Sequence, residues 1–170
     1  MTSTREKSIT AGPVTASTNR GLKMKRPLLL LIVLSFMSTI LIQAANAADM
    51  TIEMLNKRED GANMAYSLDI AHIDVGDTIT WVPTTKGHNV EFKAGPKGWK
   101  APKKSPFNRE VNITFDTPGV YYYQCTPHKT MGMIGLVVVG NDVSNKDMIL
   151  KKSKAKGKSK KKLKGLLGEI

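Results

Sequence analysis

The chain has 170 residues and a formal net charge of +12, which is distributed very unevenly. Residues 48–142 carry 10 Lys and Arg against 11 Asp and Glu, a net charge of −1, whereas residues 143–170 carry 10 against 2, a net charge of +8. This distribution argues against a nucleic-acid-binding core, because only the tail offers the basic surface that phosphates need. The single cysteine argues against a zinc site built from several thiolates.

A short apolar run occupies residues 27–43 near the N-terminus. Three basic residues precede it, and Ala-Asn-Ala at 45–47 follows with the small-x-small pattern of a signal cleavage site. We therefore expect residues 1–47 to be a signal region that exports the protein to the periplasm and is cleaved after Ala47, with Met24 as an alternative start of the chain. An uncleaved membrane anchor is the competing interpretation, because the run approaches the length of a spanning helix.

Short apolar stretches separated by turn residues follow the signal region. Several alternate between apolar and polar residues: Ile79 and Trp81 share one face of a predicted strand, and Tyr121 and Tyr123 share another with Cys125. Period-two patterns between turn signals predict an all-β sandwich or barrel, which we expect to span residues 48–142. The stretches expected to contain strands are 50–56, 64–75, 78–83, 88–93, 111–115, 120–125 and 134–140.

The C-terminal extension, residues 143–170, has a different character. Nine of the fourteen residues from Lys151 to Lys164 are lysine, and Leu163, Leu166 and Leu167 lie at helical spacing. One interpretation is a pair of short helices packed on the sandwich, although lysine repulsion weakens it. The other is a disordered basic tail. In either case the charge suggests contact with anionic surfaces such as acidic lipids.

The segment Cys-Thr-Pro-His-Lys-Thr-Met-Gly-Met begins at Cys125 and contains three kinds of soft or borderline metal ligand. Two residues separate Cys125 from His128, so one tight loop brings both side chains to a single point. His88 follows the strand predicted at 78–83, and a second imidazole with a weak thioether would complete a trigonal copper site. A Cys–His nucleophile pair is the enzymatic alternative, but no oxyanion hole or orienting group is evident, and we expect no enzyme. His72 has no other candidate metal ligand near it in the sequence and is interpreted as structural.

Three motifs together carry a resemblance to a known family: Lys-Gly-His-Asn-Val-Glu at 86–91, Val-Gly-Asp-Thr-Ile-Thr-Trp-Val-Pro-Thr at 75–84, and the segment from Pro118 to Gly140 that contains Cys125 and His128. Over roughly residues 49–142 the chain resembles the pseudoazurins, blue-copper proteins of the cupredoxin family. The resemblance implies an eight-stranded Greek-key sandwich that holds one type 1 copper ion near one end and shuttles single electrons between Cu(I) and Cu(II). The extension lies where this family has two C-terminal helices.

The resemblance also implies the ligand set His88, Cys125, His128 and Met133. The pseudoazurin pattern Cys-x-x-His-x-x-x-x-Met selects Met133 as the axial ligand, whereas the amicyanin pattern Cys-x-x-His-x-x-Met would select Met131. Met-Gly-Met followed by Ile-Gly matches the pseudoazurin form, and Met131 would then pack against the site.

Further residue roles follow from the same resemblance. Asn89 would tether the two ligand loops, Met64 would lie against the exposed histidine, and His128 would serve as the electron port. Lysines could surround that port and steer it toward acidic partners. They are Lys86, Lys93, Lys97, Lys100, Lys103, Lys104 and Lys129.

The implied partners are periplasmic redox proteins, such as a cytochrome c-type donor and copper nitrite reductase, and we expect a monomer that does not bind nucleic acid. Two alternatives remain: an amicyanin-like carrier for an amine dehydrogenase, and a periplasmic copper-delivery protein. A delivery protein would usually spread several Met or His residues over an exposed strip, whereas this chain concentrates them near one cysteine.

Overall fold

The structure of the protein, a computed structural model, describes residues 49–170. The expected signal region and its cleavage site after Ala47 lie outside the described residues. Within the described range, no helix is long and apolar enough to cross a membrane.

Eight strands and two α-helices make up the described chain. The strands are β1 (Asp49–Lys57), β2 (Asn63–Tyr66), β3 (Ile70–Ile73), β4 (Thr78–Val82), β5 (Glu91–Ala94), β6 (Val111–Thr114), β7 (Gly119–Gln124) and β8 (Ile134–Val139). A 3-10 turn, Lys129–Met131, separates β7 from β8. The helices are α1 (Lys146–Lys152) and α2 (Gly157–Glu169).

The strands form two four-stranded sheets, ordered β2-β1-β4-β6 and β3-β8-β7-β5. Strand β1 pairs in parallel with β4, and β3 pairs in parallel with β8, while the other neighbours are antiparallel. The expected eight-stranded Greek-key sandwich with a helical C-terminal extension is confirmed.

The predicted stretch 64–75 is not one strand but two, and these belong to different sheets. Ser67 donates its N–H to the Glu53 carbonyl and accepts the Glu53 N–H on its hydroxyl, which ends the pairing with β1. Two residues later, the Asp69 carbonyl accepts the N–H of Leu136 and so begins the pairing with β8. The chain therefore changes sheets within three residues, and the continuous apolar pattern concealed this step. The stretch predicted at 88–93 also differs, because β5 begins only at Glu91.

Aromatic rings fill the space between the sheets. Trp81 packs edge-on against Phe92 and Tyr123, with ring centroids 5.6 Å and 5.2 Å apart, and Tyr123 lies 4.8 Å from the ring of Tyr66. All of these rings are buried, as the alternating patterns of β4 and β7 predicted for Trp81 and Tyr123. Rings of this size contribute much of the apolar area buried in a core, and this core adjoins Cys125, which belongs to the same cluster.

The two helices cover the outer face of the second sheet. Leu163, Leu166 and Leu167 are buried in a second cluster with Tyr122 of β7 and Leu136 of β8. Strands β7 and β8 are consequently buried on both faces over their whole length. Of the two interpretations of the extension, the packed helices are the one that the structure bears out, because leucine burial outweighs the repulsion between lysines that remain exposed.

Candidate metal centre

Two connections of the sandwich bring the predicted donors together. His88 lies in the connection from β4 to β5, while Cys125 and His128 lie in the connection from β7 to β8. The Cys125 Sγ is 3.8 Å from Nδ1 of His88 and 3.5 Å from Nδ1 of His128. All three ligand atoms lie within 4.8 Å of one another, close enough for one metal ion to contact them all.

The second connection is folded back on itself by its own hydrogen bonds. The His128 carbonyl accepts the N–H groups of Met131 and Met133, at 2.9 Å and 3.3 Å, and Cys125 N–H donates to the Met133 carbonyl at 3.0 Å. Gly132 has φ of +104°, a conformation that a residue with a side chain adopts only with strain. The loop thus returns the backbone of Met133 to Cys125.

Asn89 ties the two ligand-bearing connections together, as the resemblance implied. Its side-chain oxygen accepts the N–H of Thr126 at 2.8 Å, and its side-chain nitrogen donates to the Thr126 hydroxyl and the Ser105 carbonyl. Asn89 is fully buried, so these bonds are shielded from competing water and hold His88 at a fixed position relative to Cys125.

Asn56 in β1 orients the ring of His88. The Oδ1 atom of Asn56 lies 2.9 Å from Nε2 of His88. An amide oxygen accepts only, so this bond places the His88 proton on Nε2 and leaves the Nδ1 lone pair facing Cys125. Sequence patterns did not suggest Asn56, because 32 residues separate it from His88 and only the folded sheet brings the two together.

The environment favours neutral imidazoles. Burial lowers the pKa of His88, with a further contribution from the neighbouring His128, and burial also lowers the pKa of His128. Burial raises the pKa of the Cys125 thiol, while hydrogen bonds from the backbone N–H groups of Asn89 and His128 act in the opposite direction. A bound cation would displace the thiol proton and find both histidines in their ligating form.

The two candidate methionines differ sharply in burial. Met133 is completely buried in the core cluster beside Cys125, whereas Met131 is 48% exposed at the surface. Met64 is half-buried and packs against the same cluster. His72 is exposed on β3, paired with Val138 of β8 and outside both ligand-bearing connections.

The helix α2 also reaches the ligand loop, which the sequence did not reveal. The buried hydroxyl of Ser159 donates to the carbonyl of Lys129, the residue after His128. The same helix packs against the 3-10 turn of the loop, and Lys162 forms an ion pair of 2.7 Å with Asp69 before β3. Helix α2, whose leucines form part of the second core cluster, therefore supports the loop that carries Cys125 and His128.

Two imidazole nitrogens and one cysteine sulfur, gathered in a largely buried region, form a donor set that suits copper once the thiol is deprotonated. Comparison with known proteins agrees with this chemistry. The family of copper-binding proteins described as plastocyanin/azurin matches residues 52–140.

Individual relatives point in the same direction. Pseudoazurin of Paracoccus pantotrophus is 43% identical over 103 residues, which cover 59% of this chain and 70% of that protein. Amicyanin of Paracoccus denitrificans is 40% identical over 99 residues, 56% of this chain and 70% of that protein. The crystal structure of native pseudoazurin from Hyphomicrobium denitrificans matches with a TM-score of 0.66 and 37% identity, covering 72% of this chain and 98% of that one. The chain therefore belongs to the plastocyanin/azurin family of copper-binding proteins.

Proposed function

We propose that His88, Cys125 and His128 hold one copper ion, with Met133 as the axial ligand, and that the protein carries single electrons between redox partners. The observation that carries this proposal is the convergence of three donor atoms within 4.8 Å of one another in a region that is largely closed to solvent. When bound, copper supplies the one-electron Cu(I)/Cu(II) couple.

The choice of Met133 over Met131 rests on backbone and burial together. The Met133 carbonyl accepts the N–H of Cys125, so its backbone lies beside a proposed ligand, and its side chain is buried in the same cluster. Met131 occupies the 3-10 turn and is half-exposed. These differences support the pseudoazurin-like ligand loop over the amicyanin-like one.

The protein's own contribution to electron transfer is rigidity. Asn89 joins the two ligand-bearing connections and Asn56 holds the His88 ring, so the donors need little movement when the redox state changes. His88 is fully buried, whereas His128 is partly exposed. We therefore assign His128 as the route by which electrons enter and leave.

In this proposal the protein acts in the periplasm, after cleavage of residues 1–47, with residues 48–142 as the copper domain and residues 143–170 as the basic extension. Its partners are acidic redox proteins, such as a cytochrome c-type donor and copper nitrite reductase. The similarity to amicyanin keeps an amine dehydrogenase as an alternative donor.

The ligand assignment is tested with Cys125→Ser in copper-loaded protein. We expect the variant to lose the intense blue charge-transfer absorption completely, because no other sulfur anion is available in the chain. His88→Ala and His128→Ala should also disrupt the spectrum, whereas His72→Ala serves as the control and should leave it unchanged. Retention of the blue absorption in Cys125→Ser would overturn the assignment.

Copper delivery is distinguished from electron transfer by retention of the ion. We expect the reduced protein to keep copper in the presence of a Cu(I) chelator and to recover its blue absorption on reoxidation. Rapid transfer of copper to the chelator would instead support a delivery protein.

A further inference from the structure

Seven exposed lysines line two adjoining clefts beside the ligand loop. The first cleft, with a volume of about 360 Å³, lies between the loop at Thr126–Thr130 and the linker that joins α1 to α2. The second, of about 430 Å³, continues along the side of α2. The clefts share Ser153, Lys154 and Ala155. We call their lysines the lysine strip: Lys93, Lys129, Lys151, Lys154, Lys156, Lys160 and Lys164.

Within residues 49–170, the one acidic residue that lines either cleft is Glu91, which lies near both Lys93 and Lys129. Among the described residues, the one close ion pair made by a strip lysine joins Lys93 to Glu91 at 3.2 Å. Lys160 and Lys164 lie four residues apart on α2, a spacing at which like charges face each other and repel. Helix α2 has no acidic residue in its first turn. Only the leucine face of α2 packs against the sheet. The fold therefore does not require mutually repelling lysines on the exposed side of the helix.

The position of the strip indicates what binds there. Lys129 directly follows His128, so the strip begins at the route proposed for electrons and extends away from it along the helices. A redox partner could place its redox centre over His128 while its acidic surface extends onto the strip. The electrostatic attraction to the strip would then strengthen binding and leave the electron route free.

A lipid bilayer fits the strip less well. The lysines line concave clefts, which a protruding acidic segment of a protein can enter and a flat headgroup layer cannot. In the described part of the chain, the exposed large apolar residues are Leu68, Val75, Phe107 and Met131. None of them lines either cleft, and Leu150 of the second cleft is only partly exposed, so the clefts themselves offer a bilayer no fully exposed apolar anchor.

We propose that the lysine strip is an extended docking surface for an acidic protein segment of the redox partner, which lies along α1 and α2 while the partner's redox centre faces His128. This inference rests on the proposed function, because it places the partner relative to the electron route. It assigns to the C-terminal extension a second task beyond packing on the sheet.

The test compares two charge-matched variants of the full-length, copper-loaded protein. One replaces Lys151, Lys154, Lys160 and Lys164 with Gln. The other replaces Lys57, Lys152, Lys158 and Lys161, which are also exposed, line neither cleft and do not belong to the lysines expected around the electron port. The probe is a short fluorescent peptide of alternating Glu and Gly. Binding is measured at ionic strengths of about 10 mM and 150 mM, and the bound peptide is mapped by NMR.

We expect the strip variant to weaken peptide binding by about tenfold and the control to weaken it by less than about threefold, with shifted amide signals in α1, α2 and their linker. Equal weakening in both variants would overturn the proposal, because binding would then follow net charge alone. Shifted amide signals confined to the β5–β6 connection would also overturn the proposal. So would binding that depends on the strip but is tighter to acidic phospholipid vesicles than to the peptide.

The visible spectrum and reduction by ascorbate are recorded for all three proteins. Both should be unchanged by either set of substitutions, since no proposed ligand is altered. Loss of the blue absorption in the parent protein would contradict the proposed function, whereas a failed strip test with an intact spectrum contradicts the docking proposal alone.

Discussion

At the scale of single residues, the geometry of the site depends on groups outside the donor set. Asn56 accepts the Nε2 proton of His88, and Asn89 joins the two ligand-bearing connections through Thr126. Such supporting hydrogen bonds fix the tautomer and orientation of a ligand and typically change metal affinity by about 10–100-fold when they are removed.

Replacement of Asn56 by Ala should lower copper affinity by about tenfold or more, because the His88 ring loses its only described side-chain acceptor. Competition with a chelator of known affinity measures the change. Asn63→Ala, an exposed residue of β2, is the control and should have little effect. Equal affinity of Asn56→Ala and the parent protein would show that the His88 ring is oriented by packing alone.

The two methionines of the ligand loop should respond differently to replacement by Leu. Met133→Leu should raise the reduction potential and leave copper bound, because a thioether stabilises Cu(II) more than a hydrocarbon does. Met131→Leu, at a half-exposed position, should change the potential less. Protein-film voltammetry compares the pair, and a larger shift for Met131→Leu would favour the amicyanin-like loop.

At the scale of secondary-structure elements, α2 has two contacts with different consequences. Its leucines pack on the outer face of β7 and β8, and its N-terminal part supports the ligand loop through Ser159. The helix is thus both a cover for the sheet and a support for the residues that follow His128.

Leu163 is fully buried, and its replacement by Ala should lower the free energy of unfolding by about 2–5 kcal/mol, the cost of a cavity in a packed core. Lys164→Ala changes the adjacent exposed residue and should alter stability by no more than about 0.5 kcal/mol. Urea denaturation of both variants provides the comparison. A cost below about 1 kcal/mol for Leu163→Ala would mean that α2 detaches readily from the sheet.

Ser159→Ala should lower the free energy of unfolding by about 1–3 kcal/mol, because it leaves the Lys129 carbonyl without its buried partner. We also expect faster amide hydrogen exchange at residues 129–133 in the metal-free protein. Ser144→Ala, an exposed serine before α1, is the matched control. Unchanged exchange in Ser159→Ala would show that the loop is held by its own hydrogen bonds.

At the scale of the whole molecule, the site is built onto the core between the two sheets. The aromatic-rich cluster between the sheets includes Cys125 and Met133, and most of the remaining members come from strands of both sheets. The fold should therefore survive removal of the metal, while the metal adds stability because it binds only the folded chain.

Removal of copper should leave the far-ultraviolet circular dichroism spectrum unchanged and lower the melting temperature. Ligand linkage contributes about 4 kcal/mol when the free metal concentration is 1,000 times the dissociation constant. Thermal melts of metal-free and copper-loaded protein test this expectation, with Cys125→Ser as the control that should show no stabilisation by copper. Loss of the β-sheet spectrum on copper removal would contradict a preformed site.

The amino-acid sequence by itself determined the features that depend on neighbouring residues. Alternating apolar positions predicted most strands, since side chains point to opposite faces along a strand. The spacing of Cys125 and His128 predicted a shared loop, and leucines at helical spacing predicted that a docked helix was possible. The donor types pointed to copper with His88 as a further ligand, and the family resemblance selected Met133 as the axial ligand.

Only the tertiary structure decided the features that join distant segments. The change of sheet between Tyr66 and Ile70 depends on which strands lie beside them, and the bond from Asn56 to His88 spans 32 residues. The support of the ligand loop by Ser159 spans 30 residues. Strand order, register and helix docking create these contacts through long-range packing, and no local pattern of apolar and polar residues encodes which partners will meet.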